Sequence, residues 1–387
     1  RAVIAWERGV YHGRNPLEVQ PALALVALYR SFPSIDPRRV AARPRLFQAQ
    51  SCARRLSGCA RIMMENTLSL HPSPPFRLDV TAWALQRRPG NLIDRWDGKT
   101  YRRVVMVEDD PFEITVTQTG MPGDRLRVII HGEIPHREAR ATIKQRVANA
   151  LGARVDLDGF YRLAARDRKL ALLASRFRGL KPPRFFSVFE GLVNGIACQQ
   201  LSLSLGIQLL NRLAQTFGLT VRQANSLSYA FPRPRDLASV KPDDIRKLGF
   251  NFQKARAIIE VSRAIVEGRL DLEALASATD EEAIQRLMEL RGVGRWTAEY
   301  TLLRGMGRWH IFPVDDQGAR NGLMQWLHLR TPLDARHAER IVARWRPYGG
   351  LIYFHMLMKG LDKAGRLSSP DGSLDRRPIS TPTSKLA

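Results

Sequence analysis

Apolar residues recur at two different periods along this chain, and the change from one to the other falls near residue 135. Before it, FEITVTQ at 112–118 and LRVII at 126–130 carry alternating and β-branched apolar positions, as strands with a buried face do. After Pro135 most apolar residues lie three or four apart, the spacing of amphipathic helices. The pattern predicts an α+β fold class: a small antiparallel-sheet N-terminal domain with one or two helices at 74–150, followed by an all-α domain at 155–365.

One helical pair is legible in detail. Thr279 followed by Asp280, Glu281 and Glu282 can cap a helix whose buried stripe is Ala283, Ile284, Leu287, Met288 and Leu290. Gly292 ends it. The turn Gly292, Val293, Gly294 then opens a second helix, expected from Trp296 to about Met306. Free backbone N–H groups at a helix start suit phosphate, and glycines let another backbone come close. Such a turn standing alone is equally a plain junction between two helices. Here a second segment, IFPVDD at 311–316, follows at short distance and brings paired carboxylates.

Taken together, LRGVGRWTAEY at 290–300 and IFPVDD resemble the helix-hairpin-helix DNA glycosylases, most closely the DNA-3-methyladenine glycosylase II branch. Upstream, FEGLVNGIACQQLS at 189–202 is similar to that family's helix and lesion-facing turn, and downstream WRPY at 345–348 to its closing helix. FRLDVT at 76–81 and YRRVVMV at 101–107 are similar to strands of the branch's N-terminal domain, so the resemblance covers roughly residues 70–365.

The resemblance implies a role for each matching residue. Asp316, four residues after Phe312, stands where the branch carries its catalytic carboxylate. Asp315 is the rival, since it completes a Pro-Val-Asp pattern found in other branches, and either residue could simply cap a helix. Trp296 occupies the place after Gly-x-Gly-x at which strand-cutting relatives carry a Schiff-base lysine. An indole cannot act as that nucleophile, so release of base with an intact abasic strand is expected. Trp296 and Tyr300, one turn apart, can stack on a flipped base or can be core aromatics, and Leu357 falls at a further pocket position. DNA contacts are expected from Gly292, Val293 and Gly294 of the hairpin and from Gln199 and Gln200 of the turn, with Gln200 at the tip. Arg304, Arg308 and Arg320 either steer phosphates or lie on solvated helix faces.

Charge is compatible with this reading. Over 387 residues, 61 Lys and Arg exceed 37 Asp and Glu, a net of +24, which favours a polyanionic partner without separating DNA from RNA or acidic membranes. Cys52, Cys59 and Cys198 are too few and scattered for a disulfide framework or a four-thiolate cluster. No motif calls for a cofactor or metal, and no apolar run is long enough to span a membrane. Residues 1–70, Arg-rich with broken apolar runs, are expected to be disordered or an upstream extension, Met63 and Met64 being the first methionines. Residues 366–387 are expected to form a disordered tail.

The function expected from the sequence is monofunctional hydrolysis of the N-glycosidic bond of alkylated purines, of the 3-methyladenine type, in base-excision repair. A glycosylase for another purine lesion and a non-catalytic DNA-binding module are the alternatives. The expected partner is double-stranded DNA with a damaged base, bound by a cytoplasmic, nucleoid-associated monomer.

Overall fold

The alternating segments of the first part pair into a five-stranded antiparallel sheet. The structure, a computed structural model, describes residues 66–119, 125–133, 135–223, 226–365 and 367, within a single unit spanning Gly58–Ala387. In chain order this part comprises β1 (Thr67–Leu70), α1 (Leu78–Gln86), β2 (Arg95–Trp96), β3 (Thr100–Val107), β4 (Asp110–Thr119), β5 (Arg125–His131) and α2 (Arg137–Ala150). The sheet order is β1-β5-β4-β3-β2. Leu78 and Leu85 of α1 and Ile143 and Val147 of α2 close over Tyr101, Ile114, Val116 and Val128.

Two sequence expectations fail here. Leu68 and Leu70 lie in the stretch assigned to an extension, yet β1 pairs with β5, placing Leu70 opposite Leu126 and giving the sheet its outer strand. Phe76–Thr81, expected as strand, instead leads into α1. Pro74 and Pro75 lack the N–H groups a ladder needs, and Leu78, Thr81, Ala82 and Leu85 are buried at helical spacing. The expectations for residues 1–65, including Cys52 and Cys59, and for the tail at 366 and 368–387 lie outside the described residues.

The remainder is mostly helical: α3 (Asp158–Ala164), α4 (Arg168–Arg176), α5 (Val188–Cys198), α6 (Leu203–Phe217), α7 (Pro234–Leu237), α8 (Pro242–Arg246), α9 (Phe252–Val266), α10 (Leu272–Ser277), α11 (Asp280–Met288), α12 (Arg295–Thr301), α13 (Gln317–Leu327), α14 (Ala335–Ala343) and α15 (Gly349–Lys363). A short hairpin, β6 (Thr220–Gln223) with β7 (Ser226–Tyr229), interrupts the helices. Its β-branched and aromatic residues gave too brief a run to separate strand from helix.

The helices build two hydrophobic cores. One gathers Leu192, Ile196, Leu210, Ile258, Leu287 and Val293, and the other Phe160, Leu323, Trp326, Trp345, Leu351 and Phe354. The helix expected to reach Met306 changes character on the way: α12 ends at Thr301, and Leu302–Met306 form a π turn. Gly191 allows that turn to approach α5, since a Cβ there would meet the Gly305 Cα at 2.9 Å. WRPY at 345–348 is not the closing helix but the turn before it. Pro347, without an N–H, separates α14 from α15.

A buried ionic link fixes the sheet to this helical body. Arg103 of β3 reaches Asp94 and Glu190 of α5 at 2.6 Å each and stacks over Phe186. Among the described residues no helix is long and apolar enough to cross a membrane.

Candidate active site

A cleft of about 820 Å³ opens where the two helical cores meet. The end of α5 and the start of α12 form one wall, and α13 and α15 the other. Each wall is held by local chemistry that the sequence encodes.

The hairpin between α11 and α12 is built from both ends. Thr279 Oγ accepts the Glu282 N–H at 3.3 Å, while Glu282 accepts the Thr279 N–H at 2.9 Å, a reciprocal cap that starts α11. Gly292 turns the chain at φ +77, and the Val293 N–H donates back to the Leu290 carbonyl at 3.1 Å. Val293 is buried and pins the loop to the core, leaving Gly292 and Gly294 exposed. Gly294 is the N-cap of α12 and contributes no side chain there.

The lesion-facing turn, Gln199–Ser202, is tied to this hairpin. The Gln199 amide donates to the Gly292 carbonyl and to Thr297 Oγ1, both at 2.8 Å. Its donors are therefore spent inside the protein, and it positions the turn. Gln200 is exposed at φ +53, with Leu201 exposed beside it, so these two side chains form the tip.

Asp316 and Asp315 face different surroundings. Asp316 caps α13: Oδ1 accepts the Ala319 N–H at 2.8 Å, and Oδ2 accepts the Trp296 indole N–H at 3.1 Å and the Tyr353 hydroxyl at 3.4 Å. Asp315 is exposed, 3.9 Å from the Arg320 guanidinium. Only Asp316 is bound to both walls of the cleft.

Trp296 stacks on Tyr300 with ring centroids 5.4 Å apart and planes 29° from parallel. Burial pushes the Tyr300 and Tyr353 phenols above their ordinary pKa, so both remain neutral donors. Leu357, one turn after Tyr353 on α15, lines the same cleft. Trp296, Tyr300, Asp315, Asp316, Leu357, Gln199, Gln200 and Gly294 are thus brought to one cavity. Gly292 and Val293 lie behind it in the hairpin.

With this geometry in place, similarity to known proteins becomes informative. A family profile described as the HhH-GPD superfamily of base excision DNA repair proteins matches residues 193–347. Over those residues, most of the helical part, the chain is similar to that superfamily. YfjP of Bacillus subtilis (strain 168) is 27% identical over 280 residues, covering 71% of this chain and 93% of the relative. DNA-3-methyladenine glycosylase 2 of Escherichia coli (strain K12) is 31% identical over 188 residues, 48% of this chain and 63% of that protein. Among solved structures, a 3-methyladenine DNA-glycosylase from Archaeoglobus fulgidus superposes with a TM-score of 0.67 at 23% identity, over 77% of this chain and 98% of its own, and so shares the fold.

The superfamily match contains the hairpin and both aspartates but ends before α15. Several residues that shape the cleft went unrecognised in the sequence. Tyr353 carried a signal, being one helical turn from Leu357. Lys254 of α9, whose amine donates to the Ala197 and Gln199 carbonyls at 3.0 and 2.6 Å, had none, because its partners are backbone atoms far along the chain. Arg87 at the end of α1 was equally silent.

The three arginines read either as steering phosphates or as lying on solvated helix faces have partners within the protein. Arg304 is buried and donates to the Ala84 carbonyl. Arg308 binds Asp280 and the carbonyls of Leu275, Ala276 and Ala278, closing the end of α10. Arg320 donates to Gln317. Helical periodicity places such residues on a face, and long side chains then turn inward to satisfy carbonyls at helix ends.

Proposed function

We propose that this protein is a monofunctional DNA glycosylase that hydrolyses the N-glycosidic bond of alkylated purines in base-excision repair, with Asp316 as its essential carboxylate. The observation that carries this reading is the fixed Asp316 carboxylate inside a cleft that also holds a stacked aromatic pair and borders the hairpin. The relatives named as DNA-3-methyladenine glycosylases support the same class of reaction.

In this reading the hairpin grips a phosphate through its exposed backbone while Gln200 and Leu201 fill the space left by a flipped nucleotide. The base stacks against Trp296 and Tyr300. Loss of the base leaves positive charge on the sugar, and a carboxylate beside the anomeric carbon stabilises it and orients water. The indole N–H and the N-cap hydrogen bond fix the orientation of the Asp316 carboxylate in the cleft. Among the described residues no lysine lines the cleft, and Lys254 is committed to two carbonyls. The abasic strand therefore stays intact. The enzyme acts as a monomer on damaged duplex DNA in the cytoplasm, at the nucleoid.

The deciding experiment incubates purified protein with methylated duplex DNA, separates released bases chromatographically, and examines the strands before and after alkali. Methylated purine with breaks appearing only after alkali is expected. Tight binding to the same duplex with no released base would overturn the reading in favour of a DNA-binding module.

A further inference from the structure

The cleft carries two buried guanidinium groups, and among the described residues no carboxylate forms a salt bridge with either, Asp94 acting on them only from a distance. Arg87 is 4% exposed. Its Nη1 donates to the Tyr300 hydroxyl at 3.2 Å and its Nη2 to Asn194 Oδ1 at 2.7 Å, while Nε has no partner. Arg304 is 1% exposed; Nη2 donates to the Ala84 carbonyl at 3.0 Å, and Nε and Nη1 have no partner. Its guanidinium lies over Phe185 at 4.7 Å and Phe354 at 5.1 Å. Both residues line the cleft.

This is not how the protein stabilises a buried arginine elsewhere, since Arg103 is held between two carboxylates. An unpartnered N–H and an unneutralised charge both cost stability. Burial pushes the Arg304 pKa down; it acts the same way on Arg87, but there the nearby Tyr300, Cys198 and Asp94 outweigh it and raise the pKa. Donors left unpartnered on residues that line a cavity are suited to an acceptor that arrives with the ligand.

A guanidinium only donates. The groups that distinguish purines at position 6 are an acceptor, O6 of guanine and hypoxanthine, and a donor, the N6 amino group of adenine. A base entering with O6 foremost meets donors, whereas one entering with an amino group sets donor against donor. A positively charged adenine derivative adds like-charge repulsion with no acceptor at position 6 to offset it.

We propose that Arg87 and Arg304 are specificity-determining residues that read the position-6 edge of the flipped base, making 6-oxopurine lesions the preferred substrates over 6-aminopurines. The proposal rests on the cleft being the pocket for a flipped base, and it narrows the substrate class of that same site.

Duplex DNA treated with a labelled methylating agent carries 7-methylguanine and 3-methyladenine in one substrate, so their release can be timed in the same tube. Scaled to abundance, wild-type protein is expected to release the methylguanine faster, and also to release hypoxanthine from an oligonucleotide. Arg304→Met and Arg87→Gln are each expected to lower methylguanine and hypoxanthine release about tenfold or more. Release of 3-methyladenine is expected to fall by a clearly smaller factor, so that the preference for 6-oxopurines is lost. Affinity for a duplex with an abasic-site analogue serves as the control for folding and DNA binding, and the wild-type preference tests the idea even if a variant fails that control. Faster release of 3-methyladenine by wild type, or variants with normal abasic-site affinity that slow all three bases equally, would overturn this proposal alone. Release of no base at all would overturn the glycosylase reading and this proposal with it.

Discussion

The indole of Trp296 donates its N–H to Oδ2 of Asp316 at 3.1 Å, joining the first turn after the hairpin to the carboxylate that caps α13. Two segments that are separate in the sequence thereby become one unit. Hairpin position and carboxylate orientation cannot vary independently, because the same helix start sets both.

Asp316→Asn isolates the charge from the scaffold. Asparagine caps helices as well as aspartate, so α13 should retain its N-terminus. With the negative charge gone, base release should fall by about 100-fold or more, as when a preorganised electrostatic group is removed. Affinity for a duplex with an abasic-site analogue should change little. Asp315→Asn, at the exposed neighbour, should leave release nearly unchanged. Single-turnover kinetics with both variants checks the assignment, and equal losses would refute it.

Trp296→Phe retains a ring to stack on Tyr300 and deletes only the N–H. The carboxylate then loses one of the three hydrogen bonds that aim it, and a misaligned group costs rate more than binding. The expected outcome is a fall of about tenfold in kcat with KM nearly constant. A change confined to KM would mean that the indole serves binding alone. Borohydride should trap no covalent DNA adduct with either protein, because neither carries an amine at this position.

The hairpin, the cap of α11 and the carboxylate segment were legible because each is local. Thr279 and Glu282 lie three residues apart, and Gly292, Gly294 and Trp296 form one short run. Strands β4 and β5 were legible from alternation, and β3 from its resemblance to a family strand. What escaped involves partners distant in the chain. The donors of Gln199 reach 93 residues to Gly292, and Arg87 reaches Asn194 and Tyr300 from another part of the fold. Neither pairing leaves a periodic trace. The strand expected at 76–81 rested on resemblance alone, and a short apolar run fits both periods until the prolines before it are weighed.

Gly292 and Gly294 should respond differently to alanine. At Gly292, φ is +77 and a Cβ would lie 2.9 Å from the Ala257 Cβ, so Gly292→Ala should destabilise the fold by about 1–3 kcal/mol. At Gly294 the backbone is extended and a Cβ meets nothing within 4 Å. Gly294→Ala should therefore leave the melting temperature unchanged. If the hairpin grips a DNA backbone, the new methyl group occupies space that DNA needs, and duplex affinity should drop by about tenfold. Melting and binding curves for the two variants separate protein strain from lost contact. Unchanged affinity in Gly294→Ala would place the DNA elsewhere.

His355 gives the fold an acid-side weakness that is independent of the site's chemistry. It is buried against Phe160 and Phe177, Nδ1 donates to the Leu351 carbonyl at 2.7 Å, and Nε2 has no partner. Burial pushes its pKa down from 6.5 to about 4. Above pH 6.5 neither the folded nor the unfolded chain protonates it, and its contribution is constant. As pH falls from 6.5 toward 4 the unfolded chain takes a proton that the native state refuses, so stability is lost across that window and levels off below it. At about 1.4 kcal/mol per pH unit, the loss between pH 6.5 and pH 5 is about 2 kcal/mol. His355→Leu removes the titrating group. Urea unfolding at pH 7.5 and pH 5 should show the wild type losing about 2 kcal/mol more than the variant across that interval. Equal losses would mean that His355 protonates alike in both states and that other groups govern the acid response.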